Sequence, residues 1–277
     1  MTRPFAWTLS LVFALSFALP GCSGDPEPID PAAGAPTPAT AEPAPAVEPV
    51  ELEDVVETTS DYIIGISYPP GAERYPGLAA ELKRFADDTR AELLDAIAER
   101  GEGSSEGLYD LSLTFTEVLD SPQMVAVAAD GSMYTGGAHA APILARFVWL
   151  PRQQRMLRAQ DLVPSEDGWE AISAHVREQL HTALSQRMDA DKLPSDQRAE
   201  VVRTAGSMID EGTGASARNF GQFEPVARPD GTLSGLRFVF PPYQVGPYSD
   251  GTQSVQVPSA VLLPHVAREY QPLFADS

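Results

Sequence analysis

An α+β fold, an antiparallel sheet with packed helices, is predicted for most of this chain by three observations. Short apolar-polar alternations mark strands on both sides of one long amphipathic stretch, Pro76 to Arg100. A second long stretch, from Ser165 past Leu184, again carries its apolar residues on a helical period. Strands and helices come in runs and not in strict βαβ alternation, which separates α+β from α/β.

The elements follow in order. "DYIIGISYP" predicts a strand, with Tyr62, Ile64 and Ile66 alternating against Ile63, Gly65 and Ser67. In the first helix Leu78, Leu82, Phe85, Leu93 and Ile97 fall near one face, and Gly101 supplies the stop. "LYDLSLTFTEVLDS" and "QMVAVAADGSMYTGG" predict an antiparallel meander with a turn at Asp130-Gly131. "ARFVWLPRQQRMLRAQDLV" predicts a further hairpin turning at Pro151 to Arg155. Ser165 is the expected N-cap of the second helix, with Glu166 and Asp167 in its first turn and a stripe of Trp169, Ile172, Val176, Leu180 and Leu184. A shorter helix is expected from Ser195 to about Asp210. "GQFEPVARPDGTLSGLRFVFPPY" reads as a hairpin around Pro229-Asp230-Gly231, "TQSVQVP" as a last short strand, and "SAVLLPHVAREYQPLF" as a short helix interrupted at Pro264.

The N-terminus speaks to location. Arg3 precedes an apolar run from Phe5 to Leu19, too short to span a bilayer, and Leu19-Pro20-Gly21-Cys22 follows. This resembles a bacterial lipoprotein signal peptide, residues 1–22, with Cys22 as the lipid acceptor. The expectation is a palmitate-type acylated protein attached to a membrane without crossing it, since more than one acyl chain gives stable anchoring. Ser23 after the cysteine favours the outer membrane, facing the periplasm. Cys22 is the single cysteine, which excludes a disulfide framework. Residues 23–57 are rich in Pro, Ala and acidic side chains and lack aromatics, the composition of a disordered tether. Fully extended it would reach on the order of 100 Å. The folded part is expected at 58–274, with halves meeting at about 140.

The formal net charge is −20, and no basic residue lies between Arg3 and Arg74. Such a chain is a poor ligand for nucleic acid and a better one for a cationic partner, although solubility alone accounts for an acidic surface. His175, Glu178 and His181 come nearest to a metal motif, but steps of three residues put the two histidines roughly 120° apart on a helix, so no metal and no cofactor is expected. "DADKLPSD" from Asp189 begins like a calcium loop but lacks the glycine and the distal glutamate. "GEGSSEG" from Gly101 follows a helix and reads as a flexible turn. No nucleophile elbow, Walker loop or dinucleotide fingerprint occurs.

"YTGGAH" concentrates Tyr134, Gly136, Gly137 and His139. The glycines fit either an open groove with His139 as base or binding ring, or a bulge where a strand leaves the sheet. The architectural reading is favoured, because no acid or nucleophile motif accompanies the histidine.

Two segments carry a wider resemblance. "MYTGGAHA" followed by "ARFVWLPRQQRMLRAQDLV" resembles the centre of the PdaC/RsiV-like extracytoplasmic domain family, domain of unknown function 3298 with its companion N-terminal segment. "FVFPPYQVGPYSDGTQSVQVPSAVL" resembles the same family's C-terminal signature. The resemblance spans about Asp61 to Leu263. It implies an α+β domain in the cell envelope, found in relatives beside a peptidoglycan deacetylase domain or as a lysozyme-binding anti-sigma factor. Neither arrangement is expected here, because little chain follows Phe274 and only the signal precedes Cys22. Ala140 and Ala141 follow His139 where many relatives carry proline or asparagine.

The leading expectation is a non-catalytic lipid-anchored protein that binds a protein or cell-wall ligand, such as a cationic lysozyme-like muramidase or peptidoglycan. Tyr134, Gly136, Gly137, His139, Tyr243 and Tyr248 are the candidate binding residues. Two alternatives stay open: a peptidoglycan-acting hydrolase or deacetylase-like enzyme using His139, and a structural lipoprotein that assembles with other envelope components.

Overall fold

The strand nearest the N-terminus sits at the edge of a sheet and not in a tether. The computed structural model describes residues 50–100, 107–190 and 194–274. Within them β1 (Val55–Thr58) pairs antiparallel with β2 (Tyr62–Ser67). The tether drawn to residue 57 therefore ends earlier, because Val55 packs on the core and Glu57 pairs with Arg90 at 2.9 Å. The signal peptide, Cys22, the remaining tether and most of "GEGSSEG" lie outside the described residues, as does the middle of "DADKLPSD".

After β2 the chain crosses over through α1 (Pro76–Arg100) and returns as β3 (Tyr109–Asp120), parallel to β2. A helix of this length carries the chain back to the starting end of the sheet, which a tight turn cannot do. β3, β4 (Val125–Tyr134) and β5 (Ala141–Leu150) form the expected antiparallel meander, and β6 (Arg155–Met156) closes a six-stranded sheet in sequential order. The predicted Asp130-Gly131 turn is absent. Both residues continue β4, opposite Thr114 and Leu113, and a Cβ at Gly131 would lie 2.0 Å from the Ser112 carbonyl oxygen. Gly131 marks a close approach between strands, a role that in sequence looks the same as a turn.

α1 covers one face of this sheet. Leu78, Leu82 and Leu93 meet Ile64, Ile66, Leu111, Leu113, Phe115, Val127 and Phe147 in one apolar cluster. Each fully buried side chain of this size contributes roughly 1.5–3 kcal/mol.

A second cluster builds the C-terminal half, which begins after β6 and not at about residue 140, because β5 and β6 pair into the first sheet. A short α2 (Ala159–Leu162) precedes α3 (Glu166–Ala190), where the Gly168 amide donates to Ser165 Oγ at 3.2 Å, as expected of the N-cap. The predicted stripe of Trp169, Ile172, Val176, Leu180 and Leu184 is buried throughout. α4 (Ser195–Gly212) packs on α3, and a second sheet, antiparallel in the order β7 (Phe223–Ala227), β8 (Leu233–Phe240), β9 (Gln253–Pro258), packs with them. α5 (Ser259–Leu262) stops before Pro264. Met124, Ala126, Val148 and Leu150 of the first sheet join this second cluster, so its far face is partly covered by the C-terminal half. The α+β class holds, with one mixed and one antiparallel sheet. Among the described residues no helix is long and apolar enough to cross a membrane.

Candidate functional site

β4 ends at Tyr134, and the chain reverses through Gly136 and Gly137, each at φ 95°. Positive φ is open to glycine and costly for most residues, so the pair allows the reversal. Tyr134 Oη donates to the Gly137 carbonyl at 3.1 Å and ties the turn to the strand it leaves. His139 then stands exposed just before β5.

A second segment, Pro241 to Gly251 between β8 and β9, meets that turn. The His139 and Tyr248 rings stack at 4.0 Å with an interplanar angle of 17°. Tyr248 Oη donates to the Ala140 carbonyl at 3.1 Å. Tyr243 lies 5.8 Å from Tyr248, and its hydroxyl is 3.5 Å from His139 Nε2. Residues 104 positions apart thus form one aromatic corner joining the two halves of the fold. Three of the six candidate residues, His139, Tyr243 and Tyr248, touch one another; Tyr134, Gly136 and Gly137 shape the turn beneath them.

Tyr243 is the anomaly. Its φ is 73° and its side chain is 57% exposed. A left-handed non-glycine residue costs on the order of 1–2 kcal/mol. Here no core burial offsets that cost.

The surrounding loop is pinned. Gln244 Nε2 donates to the carbonyls of Gly212 (3.0 Å) and Asn219 (2.8 Å). Val245 is buried, and Arg187 of α3 holds Asp250 at 2.7 Å. A Cβ at Gly212 would fall 1.9 Å from the Gln244 carbonyl oxygen, so the end of α4 must be glycine for the loop to lie against it. Beneath is a cavity of about 210 Å³ lined by Leu184, Arg187, Ile209, Val245, Asp250 and Gln253. Sequence reasoning found the aromatics through "YTGGAH" and "PPYQVGPY" but not Arg187, Gln244 or Asp250, whose pairing depends on α3 and α4 docking side by side.

The corner offers rings, hydroxyls and backbone carbonyls, a set suited to binding. The His139 ring nitrogens face the Ala140 carbonyl (Nδ1, 3.3 Å) and the Tyr243 hydroxyl, with no carboxylate hydrogen-bonded to them among the described residues. Catalytic histidines are normally oriented by such a group. The His175/Glu178/His181 set does not assemble either: His181 Nε2 pairs with Asp210 at 3.0 Å, and among the described residues no cluster of metal-ligating side chains occurs.

Burial shapes ionisation away from the corner. Tyr68, stacked on Phe115 at 4.8 Å, has its phenol pushed up to about 12, first by desolvation and then by Asp87 and Asp54. Tyr270 is also raised, mainly by desolvation.

Comparison with known proteins bears on the same region. Residues 160–260 match the family model described as Protein of unknown function (DUF3298). No curated protein matches the chain. Among solved structures, a DUF3298 family protein from Pseudomonas aeruginosa PAO1 is similar with a TM-score of 0.54 at 17% identity, covering 83% of this chain and 99% of that one. A member of the same family from Bacteroides fragilis NCTC 9343 has a TM-score of 0.48 at 16% identity, covering 79% and 94%. The first likeness is one of fold.

Proposed function

We propose, from the premise that residues 160–260 belong to the DUF3298 family, that this chain is a non-catalytic, lipid-anchored cell-envelope protein that binds an extracytoplasmic ligand at its aromatic corner. The observation that carries the reading is Tyr243, strained at φ 73° and yet 57% exposed. Strain kept at an exposed aromatic, where glycine or asparagine would relieve it, fits selection for contact and not for packing. Acylation at Cys22 would hold the domain at the periplasmic side of the outer membrane. The ligand is a protein or a cell-wall component. With a net charge of −20, a cationic lysozyme-like muramidase is the first to test, because electrostatic steering speeds such encounters and fades with salt. Peptidoglycan is the second.

Calorimetric titration of the full chain with lysozyme, at low and moderate salt, tests the protein form. Binding that weakens with salt and is lost in Tyr243→Gly supports it; no heat at either salt removes the muramidase. Incorporation of labelled palmitate, absent in Cys22→Ala, tests the anchor.

A further inference from the structure

The cavity under the Pro241 to Gly251 loop has walls of two kinds. Leu184 of α3, Ala205 and Ile209 of α4 and Val245 of the loop, all buried, make an apolar floor. Arg187, Asp250 and Gln253 make a polar wall. At about 210 Å³ the space is smaller than the roughly 300–1,000 Å³ of sites for drug-sized ligands. It shares no residue with the ring contacts of His139, Tyr243 and Tyr248, so its occupant is independent of the ligand proposed for the corner.

The polar wall has bonding capacity to spare. Arg187 Nη2 donates to Asp250 Oδ2 at 2.7 Å, and the guanidinium keeps further N–H donors beyond that bond. The second Asp250 oxygen has the Ser249 hydroxyl at 3.5 Å. Asp250 is 15% exposed, so the pair sits largely out of bulk water and its pull on a further charge is less screened. The Gln253 side-chain amide has no hydrogen-bond partner among the described residues. It converges with the carboxylate on Gly246, where a Cβ would lie 2.6 Å from Gln253 Nε2 and 3.1 Å from Asp250 Oδ2. Glycine at this position leaves space for both groups. A purely apolar cavity stays dry, whereas one walled by an ion pair and a free amide takes a polar occupant. The aliphatic floor calls for an occupant with an apolar part as well, which water lacks.

We infer that this cavity binds a free aliphatic amino acid, its side chain on the apolar floor, its carboxylate on Arg187 and its ammonium on Asp250. A matched cation and anion offer no net charge to attract a simple ion. They do offer a dipole, and a zwitterion laid against it head to tail satisfies both charges at once. An amino acid carries its ammonium and carboxylate on one carbon, through bonds of about 1.5 Å, which suits a pair in contact at 2.7 Å. The Gln253 amide, donor and acceptor together, serves either group. A peptide terminus carries only one of the two charges, which separates it chemically from the free amino acid. Ala205 keeps the floor open, since a larger side chain at that position would fill it.

The test titrates the full chain with each enantiomer of leucine, by calorimetry and by saturation transfer to the leucine methyls. Leucinamide and N-acetyl-leucine each lack one charge, and glycine lacks the side chain. At least one enantiomer of leucine is expected to bind, with each of the three comparison ligands at least tenfold weaker. Asp250→Asn keeps the size of the wall and removes its anion, and should cut the preference for leucine over N-acetyl-leucine at least fivefold; a merely structural Asp250 would leave that ratio alone. Ala205→Phe should abolish binding, and Gln253→Leu, which removes the amide at similar volume, should weaken it even if Ala205→Phe does not fold. Neither heat nor transfer from either enantiomer at millimolar concentration overturns the inference and leaves the cavity to water. Equal affinity for N-acetyl-leucine or leucinamide overturns it too, as does leucine binding unchanged in both Asp250→Asn and Gln253→Leu. None of these results bears on the corner, which the lysozyme titration tests separately.

Discussion

Two places join the halves of this molecule, and they are built on opposite terms. At the first, Arg146 of β5 reaches Glu224 of β7 at 2.6 Å, with Asp130 at 3.0 Å and Arg237 on the other Glu224 oxygen at 3.3 Å. The Arg146 side chain is 6% exposed, and its guanidinium also donates to the Ala129 and Ala145 carbonyls. At the second, exposed His139 and Tyr243 meet a half-buried Tyr248 through a ring stack, the Tyr248 hydrogen bond to the Ala140 carbonyl at 3.1 Å and a long Tyr243–His139 contact at 3.5 Å, over a strained backbone. The first joint is saturated with partners and turned inward; the second leaves its groups under-used and turned outward. The contrast is between a buried polar clasp and a solvent-facing ring contact.

Breaking the clasp should have the largest effect. Arg146→Ala leaves Glu224, which is 8% exposed, with Arg237 at 3.3 Å as its remaining ion-pair partner, and is expected to cost about 3 kcal/mol in urea unfolding, with Arg146→Met/Glu224→Leu regaining most of it. Gly212→Ala comes next, because its methyl meets the Gln244 carbonyl and must move the loop that carries Tyr243. A loss of about 2 kcal/mol together with weaker ligand binding is expected, whereas unchanged binding would disconnect the loop from the site. Tyr243→Gly should do the reverse of the clasp variants, gaining up to about 1 kcal/mol of stability while abolishing binding. A stability loss instead would make the ring structural.

The last effect appears only in alkali and belongs to the first half. Tyr68 has its folded-state phenol raised from 10.0 to about 12, so its contribution is complete below the unfolded value and is lost as pH rises through the folded one. Thermal unfolding followed from pH 9 to 12 should show a smaller decline in Tyr68→Phe than in the parent chain.

Periodic elements were legible in the sequence, because burial writes itself into local spacing. The stripe of Trp169 to Leu184, the Ser165 cap and the alternation of Leu111, Leu113 and Phe115 all stand where the sequence puts them. What escaped depends on neighbours distant in the chain. Gly131 reads as a turn beside Asp130 until the Ser112 carbonyl is seen against it. The parallel pairing of β2 and β3 follows from where α1 returns the chain, not from either strand's own pattern. "YTGGAH" offered a choice between architecture and site: Tyr134, Gly136 and Gly137 build the turn, and His139 meets two tyrosines from a loop no local signal connects to it.

β1 has one further consequence. It is a four-residue edge strand, fastened by the Leu52 amide to Glu73 at 3.0 Å, the Tyr68 amide to Asp54 at 2.9 Å and Arg90 to Glu57. Were the chain held at Cys22, as proposed, tension would enter the described fold at β1 before anywhere else. These three fastenings would then act as a mechanical fuse, parting first and releasing several residues while α1 and β2 to β6 stay folded and the aromatic corner keeps its shape.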